Sequence, residues 1–105
     1  MKVATAEFDW DSGNCDKCRK HGLTITEIEY VLRHSETLIV SDAKNSEVEP
    51  RFIAIGRTPA GRYAFVAFTP RVVHGEPKVR PVSARYMHKK EIARYEKENS
   101  GLQNR

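Results

Sequence analysis

The chain has 105 residues, 39% hydrophobic and 30% charged, with a net charge of +4, a balance that is typical of one soluble globular domain and excludes a disordered chain. No apolar run approaches the roughly 20 residues of a membrane-spanning helix, and two cysteines are too few for a disulfide-stabilised secreted domain. The N-terminus becomes acidic too early for a signal peptide, so we expect a cytoplasmic protein.

The N-terminal residues are predicted to form a short strand and a helix. Residues 2–8 give a strand or an ordered arm. Asp11 or Ser12 caps a helix that runs to His21 and stops at Gly22, a residue type that commonly ends helices. The basic residues near the end of this helix also suit the negative end of its dipole.

A second helix and a second strand are predicted to follow. The helix begins at Thr24 or Thr26, because Thr26 and Glu29 have the spacing of a capping box, and it ends near residues 33–35. Residues 37–41 form a short strand. The apolar residues of the helix recur at helical spacing and mark its buried stripe: Ile25, Ile28, Val31 and Leu32.

The most apolar stretch of the chain is a predicted hairpin at its centre. Residues 42–50 are a polar loop that leads into it. Two antiparallel strands, Arg51–Arg57 and Arg62–Thr69, are joined by the turn at residues 58–61, where Pro and Gly occupy positions that they favour in turns. The strands are rich in residues that fit a pleated, half-buried surface, so this hairpin is the expected centre of the core.

The C-terminal third is predicted to contain a loop, a strand and a helix. Residues 70–77 form the loop. Residues 78–85 form a strand, in which Pro81 requires an edge position or a bulge because it lacks a donor for the ladder. Residues 88–98 are helix formers, and residues 99–105 are a flexible tail.

The order of these elements predicts an α+β fold. Two N-terminal helices and a C-terminal helix accompany a mainly antiparallel sheet of three or four strands, with helices on one of its faces. We expect residues 1–98 to form a single domain.

A metal site is not expected. Cys15, Cys18 and His21 lie three residues apart on one predicted helix, whereas tetrahedral zinc needs four ligands that converge from different directions. The chain also lacks a glycine-rich phosphate loop and a nucleophile elbow. We therefore predict no metal and no cofactor, and we expect both cysteines to be free thiols.

The charge distribution indicates a polyanion partner. Residues 24–50 have a net charge of −4, whereas residues 71–105, with nine Lys or Arg and four Glu, have +5. Nucleic acid is the commonest partner of a basic region, although charge alone does not separate this hypothesis from a solvated face without a partner.

The same residues suggest a metal-free cleavage of RNA. Such a reaction needs a base for the 2′-hydroxyl, a cation for the phosphorane and an acid for the 5′-oxygen. Glu47 and Glu49 precede Arg51, and Arg85 ends the last long strand. Arginine suits the second task because its planar fork pairs with phosphate oxygens. Scattered arginine and glutamate residues are more commonly surface ion pairs, so this pattern alone favours that simpler explanation.

A more specific pattern extends over residues 8–96. The motifs occur in this order: Phe8-x-Trp10-Asp11, Lys20-His21-Gly22, Ser46-Glu47-x-Glu49-x-Arg51-Phe52-Ile53-Ala54-Ile55-Gly56, Gly61-Arg62, Phe65-Val66-x-Phe68-Thr69, Ser83-Ala84-Arg85, Glu91 and Arg94-Tyr95-Glu96. In order and spacing, the chain resembles the BrnT-type toxins of bacterial type II toxin–antitoxin systems.

The resemblance implies a compact RelE-like fold and a ribonuclease that inhibits translation. It also implies a cognate antitoxin of the ribbon-helix-helix type, through which alone the pair contacts DNA. By position, the expected catalytic residues are Glu47, Glu49, Arg51, Arg62 and Arg85. The residues expected to bind RNA are Arg57, Arg71, Arg80, Tyr86, His88 and Lys89, of which the last three are also candidates to protonate the leaving group.

Three positions depart from the family pattern. Members often have Lys and Asn on the first helix where this chain has Asn14 and Cys18, and they commonly have His where it has Asn45. Asparagine cannot transfer a proton at neutral pH. Two alternatives therefore stand beside the ribonuclease: a catalytically inactive RelE-like module that binds RNA or a partner protein, and an interaction domain that receives a partner chain at an exposed sheet edge.

Overall fold

A computed structural model describes residues 6–99, which form three α-helices and one five-stranded sheet. The strands are β1 (Glu7–Phe8), β2 (Leu38–Ser41), β3 (Phe52–Arg57), β4 (Tyr63–Val73) and β5 (Glu76–Tyr86). The helices are α1 (Ser12–Arg19), α2 (Ile25–Arg33) and α3 (Lys89–Glu98), and a short 3-10 helix spans Ala43–Asn45. The predicted α+β class is confirmed, with one strand more than expected.

The sheet has the order β1-β5-β4-β3-β2. Neighbouring strands are antiparallel except for β1, which runs parallel to β5 and pairs Glu7 with Lys78 and Phe8 with Val79. This short strand is the part of the predicted segment 2–8 that the structure describes. It is the fifth strand of the sheet, because the N-terminal segment pairs with β5, the last strand in the sequence.

The predicted loop at residues 70–77 is wrong. β4 continues to Val73 and turns back through His74 and Gly75, whose φ angles are 50° and 80°. Two positive φ angles are the signature of the type I′ turn that matches the twist of a hairpin. Pro70 is tolerated because the pairing of β3 with β4 ends at Phe68, so that β4 has lost its neighbour on that side.

The bulge expected at Pro81 is confirmed. Ala67 of β4 pairs with Ser83, and the next residue, Phe68, pairs with Pro81, so Val82 has no partner across the ladder. An extra residue of this kind bends the strand and increases its twist. β5 therefore curves at Val82, and the three residues that follow, Ser83, Ala84 and Arg85, line the cavity described below.

Both N-terminal helices begin at side-chain caps. The Asp11 carboxylate accepts the backbone N–H of Asn14 at 3.1 Å, as expected, but α1 ends two residues before the predicted His21. α2 is capped by Thr24, whose hydroxyl accepts the N–H of Glu27 at 3.1 Å. The predicted capping box of Thr26 and Glu29 is wrong, since Glu29 instead accepts the indole N–H of Trp10 at 2.9 Å.

The helices α1 and α2 cover one face of the sheet. On β4, the residues Ala64, Val66 and Phe68 point to this side and are fully buried, together with Ile28 and Val31 of α2. Because side chains alternate along a strand, the residues between them point to the opposite side, which we call the open face. Its central side chains are only half-buried: Ile53, Phe65 and Ala67.

The helix α3 contacts the structure more sparsely. No residue of α3 is buried, and Tyr95 packs edge-on against Tyr63 with the ring centroids 5.4 Å apart. The predicted start and end of this helix are close to those observed. Of the predicted tail at 99–105, only Asn99 is described, and its side-chain amide donates to the Tyr95 carbonyl at 2.9 Å.

Candidate active site

A cavity of about 360 Å³ lies on the open face of the sheet. Its floor is apolar and is made by Ile53, Phe65 and Ala67, which belong to two adjacent strands. Its polar lining comes from four different parts of the chain: His21, Asp42, Asn45, Arg51, Ser83 and Arg85. A shallow apolar floor with a convergent polar rim is typical of a small-molecule or nucleotide site.

Arg51 directly precedes β3, and hydrogen bonds hold both its backbone N–H and its carbonyl. Its N–H donates to the Ser46 hydroxyl at 3.0 Å, and its carbonyl accepts the N–H of Asp42 at 2.8 Å. Within residues 6–99, by contrast, its side chain makes no hydrogen bond or ion pair, and its Nε is buried without a partner. Since buried polar groups are normally satisfied, this guanidinium is suited to an anion that enters the cavity.

Arg85 is held in a fixed orientation beside the same cavity. Both of its terminal nitrogens donate to the Glu91 carboxylate at 2.8 Å, and one also donates to the Tyr86 carbonyl at 3.2 Å. Its guanidinium carbon lies 4.6 Å from the centre of the Phe65 ring. The ion pair, with the backbone N–H of His88, lowers the pKa of Glu91 to about 2. Arg85 is thus oriented by α3 but still 41% exposed.

Replacement of Glu91 by glutamine is expected to reduce stability in a pH-dependent way. The folded-state pKa of about 2 lies below the ordinary value of 4.5, so the pair stabilises the fold above pH 4.5 and this stabilisation is lost as the pH falls through about 2. Because the pair is partly exposed, we expect a loss of about 1 kcal/mol at pH 7. Urea unfolding at pH 7 and pH 2.5 measures it.

The matched control for this prediction is Glu98→Gln. Glu98 pairs with Arg94 on the same helix, but both side chains are more than half exposed, so we expect no measurable change in the free energy of unfolding. If the free energies of unfolding of wild type and Glu91→Gln differ by the same amount at both pH values, this pair is not the source of the pH-dependent stabilisation.

Arg62 and Tyr86 lie together on the other side of the sheet. The Arg62 guanidinium carbon is 3.5 Å from the centre of the Tyr86 ring, and the Tyr86 hydroxyl donates to the Glu27 carboxylate of α2 at 3.1 Å. Tyr86 pairs across the ladder with Ala64, which is buried under the helices. These two predicted site residues therefore do not line the cavity.

The predicted acids Glu47 and Glu49 also lie outside the cavity. Glu47 is exposed, and Val48 beside it is 99% exposed. Glu49 pairs with Arg71 at 3.4 Å on the surface. The loop before β3 instead brings Asp42 into the cavity, where the side-chain amide of Asn45 donates to both carboxylate oxygens at 3.0 and 3.2 Å.

The remaining predicted RNA-binding residues are dispersed. Arg57 donates to the Tyr63 hydroxyl at 2.6 Å and lies over its ring. Arg80 bridges Asp9 at 3.3 Å and Asp11 at 3.0 Å and is only 17% exposed, so it fastens the N-terminal segment to β5. The backbone of His88 donates to Glu91 at the start of α3, and Lys89 is the exposed first residue of that helix.

Two of the three departures from the family pattern are packing residues. Asn14 is buried, and its side chain bonds the Asp9 carbonyl at 2.9 Å, the Pro81 carbonyl at 2.8 Å and the Asp11 N–H at 2.7 Å. Cys18 lies in the core, where burial raises the pKa of its thiol to about 11. Asn45, by contrast, is part of the cavity.

Sequence reasoning missed His21 and Asp42 as site residues. His21 is part of the motif Lys20-His21-Gly22, but its position at the predicted end of a helix does not indicate a cavity. Asp42 lies in the predicted polar loop at residues 42–50, and its place in the cavity depends on how that loop folds back on Arg51. Between residues 6 and 99, no group of three or more His, Cys, Asp or Glu side chains is arranged to hold a metal ion, and no helix is long and apolar enough to cross a membrane.

Comparison with known proteins identifies a family for this chain. The model of a family described as "Ribonuclease toxin, BrnT, of type II toxin-antitoxin system" matches residues 10–91. A search of the curated proteins finds no match. The matched residues make up more than half of the chain. They include every residue that lines the cavity. The chain therefore belongs to the BrnT family of ribonuclease toxins of type II toxin–antitoxin systems.

Proposed function

We propose that this chain is a metal-independent endoribonuclease whose cleavage of RNA inhibits translation, and that the cavity on the open face is its active site. The observation that supports the proposal best is the side chain of Arg51, which has no partner among residues 6–99 and lines the same cavity as Arg85. Two guanidinium groups beside an apolar floor suit the phosphorane that forms when a 2′-oxygen attacks phosphorus.

The proposed reaction begins with the 2′-hydroxyl of a nucleotide bound in the cavity. Asp42 takes its proton, because it is the carboxylate that lines the cavity among the described residues. The 2′-oxygen then bonds to phosphorus, and the bond from phosphorus to the 5′-oxygen breaks. The products are a 2′,3′-cyclic phosphate and a 5′-hydroxyl end. Arg51 and Arg85 neutralise the charge on the phosphorus oxygens, while Glu47 and Glu49 remain outside this chemistry.

Further residues would hold the RNA outside the cavity. Arg62 and Arg57 each stack on a tyrosine ring, and an exposed guanidinium plane of this kind accepts an unpaired base. Arg71 lies on the surface, whereas Arg80 is occupied by two carboxylates and serves the fold. We assign Tyr86, His88 and Lys89 no proton transfer, because they do not line the cavity.

The proposal extends to the partners and the location of the chain. A toxin of this family implies an RNA target and an antitoxin. We propose that the antitoxin is of the ribbon-helix-helix type, that DNA is contacted only through it, and that the complex is cytoplasmic. Residues 1–98 would act as a single domain of the RelE-like kind.

One observation favours the alternative of an inactive RNA-binding module. Asn45 occupies the position of a common family histidine, and its amide donates to the Asp42 carboxylate, which competes with the role of that group as a base. The two functions differ in a single result, since the inactive module binds RNA without cutting it.

Incubation of the purified chain with end-labelled single-stranded RNA and EDTA tests the proposal. We expect cleavage products with 2′,3′-cyclic phosphate and 5′-hydroxyl ends, and no cleavage of the same RNA when every ribose is 2′-O-methylated. Induction in a host without antitoxin should arrest growth with loss of RNA. Binding without cleavage would support the inactive module, and cleavage that EDTA abolishes and Mg²⁺ restores would refute metal independence.

A further inference from the structure

The proposed reaction requires an acid at the end opposite to the base. As the bond from phosphorus to the 5′-oxygen breaks, its electron pair moves to that oxygen, which then needs a proton. In the part of the chain that the structure describes, the cavity lining contains one imidazole, that of His21. We propose that His21 is the catalytic general acid that protonates the 5′-oxygen, an inference that rests on the proposed ribonuclease function.

The fold keeps His21 at the edge of the cavity. Cys18, which precedes His21 in the chain, is fully buried, and Leu23, which follows it, is only 2% exposed. The short connection between α1 and α2 is therefore anchored in the core at both ends. Gly22 has a φ of 97°, which L residues rarely adopt, and a Cβ there would lie 3.7 Å from the Tyr86 ring. This turn lies where His21 lines the same cavity as Arg85.

The side chain of His21 is available for proton transfer. It is exposed, and within residues 6–99 it makes no hydrogen bond or ion pair. An imidazole can carry and release a proton near neutral pH, whereas an arginine does not release one and an ionised carboxylate only accepts one. With Asp42 as the acceptor, His21 is the group in the cavity that can donate.

The charges around His21 fit this division of roles. The titratable and charged groups that share the cavity with it are Asp42, Arg51 and Arg85, and Glu91 lies behind Arg85. The lining thus contains one carboxylate, one imidazole and two guanidinium groups, the set of groups that can supply base, acid and charge neutralisation for the proposed reaction. Asn45, which cannot transfer a proton, is then not needed for the chemistry, because the acid comes from the connection between the first two helices.

Two RNA substrates test this role in the full-length chain. The first is a natural single-stranded oligonucleotide, and the second carries a sulfur in place of the 5′-bridging oxygen at the cleaved linkage, so that its leaving group needs no proton. We expect His21→Ala to slow cleavage of the first about 10²–10⁴-fold. Cleavage of the second should slow by less than about tenfold, because the missing step is no longer required.

The control variant is His74→Asn in the hairpin between β4 and β5. His74 has a φ of 50°, a conformation that asparagine accepts, and it does not line the cavity. Both substrates should be cleaved at wild-type rates. Thermal unfolding of each variant shows whether it is folded, and His21→Gln replaces His21→Ala if that variant is not.

The outcomes distinguish the two proposals. If wild type cleaves neither substrate, the proposed ribonuclease function is wrong and the role of His21 is wrong with it. If wild type cleaves and a folded His21 variant cleaves the natural RNA at the same rate, only the role of His21 is wrong. Equal slowing of both substrates by a folded variant would also overturn it, since a missing acid affects the oxygen leaving group selectively.

Discussion

Replacing Arg51 by methionine is expected to reduce the rate of RNA cleavage about 10²–10³-fold, the usual effect of removing one group that neutralises transition-state charge. The free energy of unfolding should stay equal or rise by up to about 1 kcal/mol, because the buried Nε of Arg51 has no partner in the described part of the chain and an unsatisfied donor destabilises a fold. Methionine keeps the unbranched, flexible stem of the side chain and removes both the charge and the donors.

The combination of lost activity and retained stability is what separates a site residue from a structural one. Cleavage of labelled RNA and urea unfolding, measured on the same preparation, give the two quantities. Arg94→Met is the matched control, because Arg94 is 80% exposed on α3 and outside the cavity. Cleavage at the wild-type rate by Arg51→Met would remove Arg51 from the mechanism, and a clear loss of stability would make its role structural.

Replacing Asn14 by alanine is expected to destabilise the fold by about 3 kcal/mol, since three hydrogen bonds of about 1 kcal/mol each are lost. Two of them end at the carbonyls of Asp9 and Pro81, and the second of these bonds joins α1 directly to the bulged part of β5. The loss is a large part of the 5–15 kcal/mol by which a domain of this size is usually stable.

Urea unfolding of the purified variant measures this loss. Asn45→Ala is the comparison, because Asn45 is exposed and, among the described residues, its side chain hydrogen-bonds to Asp42 alone, so its removal should cost less than about 1 kcal/mol. Equal stabilities of the two variants would show that Asn14 does not hold α1 on the sheet, and the departure from the family pattern at this position would then have no structural explanation.

The elements that sequence patterns predicted correctly are those with a local signal. The stripe of α2 and the hairpin of β3 and β4 follow from residue spacing and turn chemistry, and the family resemblance is confirmed by the match. The prediction of a loop at residues 70–77 is wrong because its cause is not local. Whether a proline such as Pro70 fits into a strand depends on where the neighbouring strand ends.

The site was less predictable than the fold because its members meet through the sheet. Arg51 and Arg85 were recognisable as cations, but their place in one cavity follows from the register of three strands. The choice of Asp42 over Glu47 depends on which way the loop before β3 turns, and hydrogen bonds between its backbone and Arg51 decide that. Local sequence patterns predict neither the register of the strands nor the direction of this loop.

The parallel pairing of β1 with β5 has a consequence for the synthesis of the protein. Glu7 pairs with Lys78 and Phe8 with Val79, so β1 can pair with β5 only after most of the polypeptide has left the ribosome. Arg85 and the helix that orients it come later still. Contacts between such distant residues form late and slowly. The cavity that Arg85 lines is therefore incomplete on the nascent chain until almost the whole polypeptide has been synthesised.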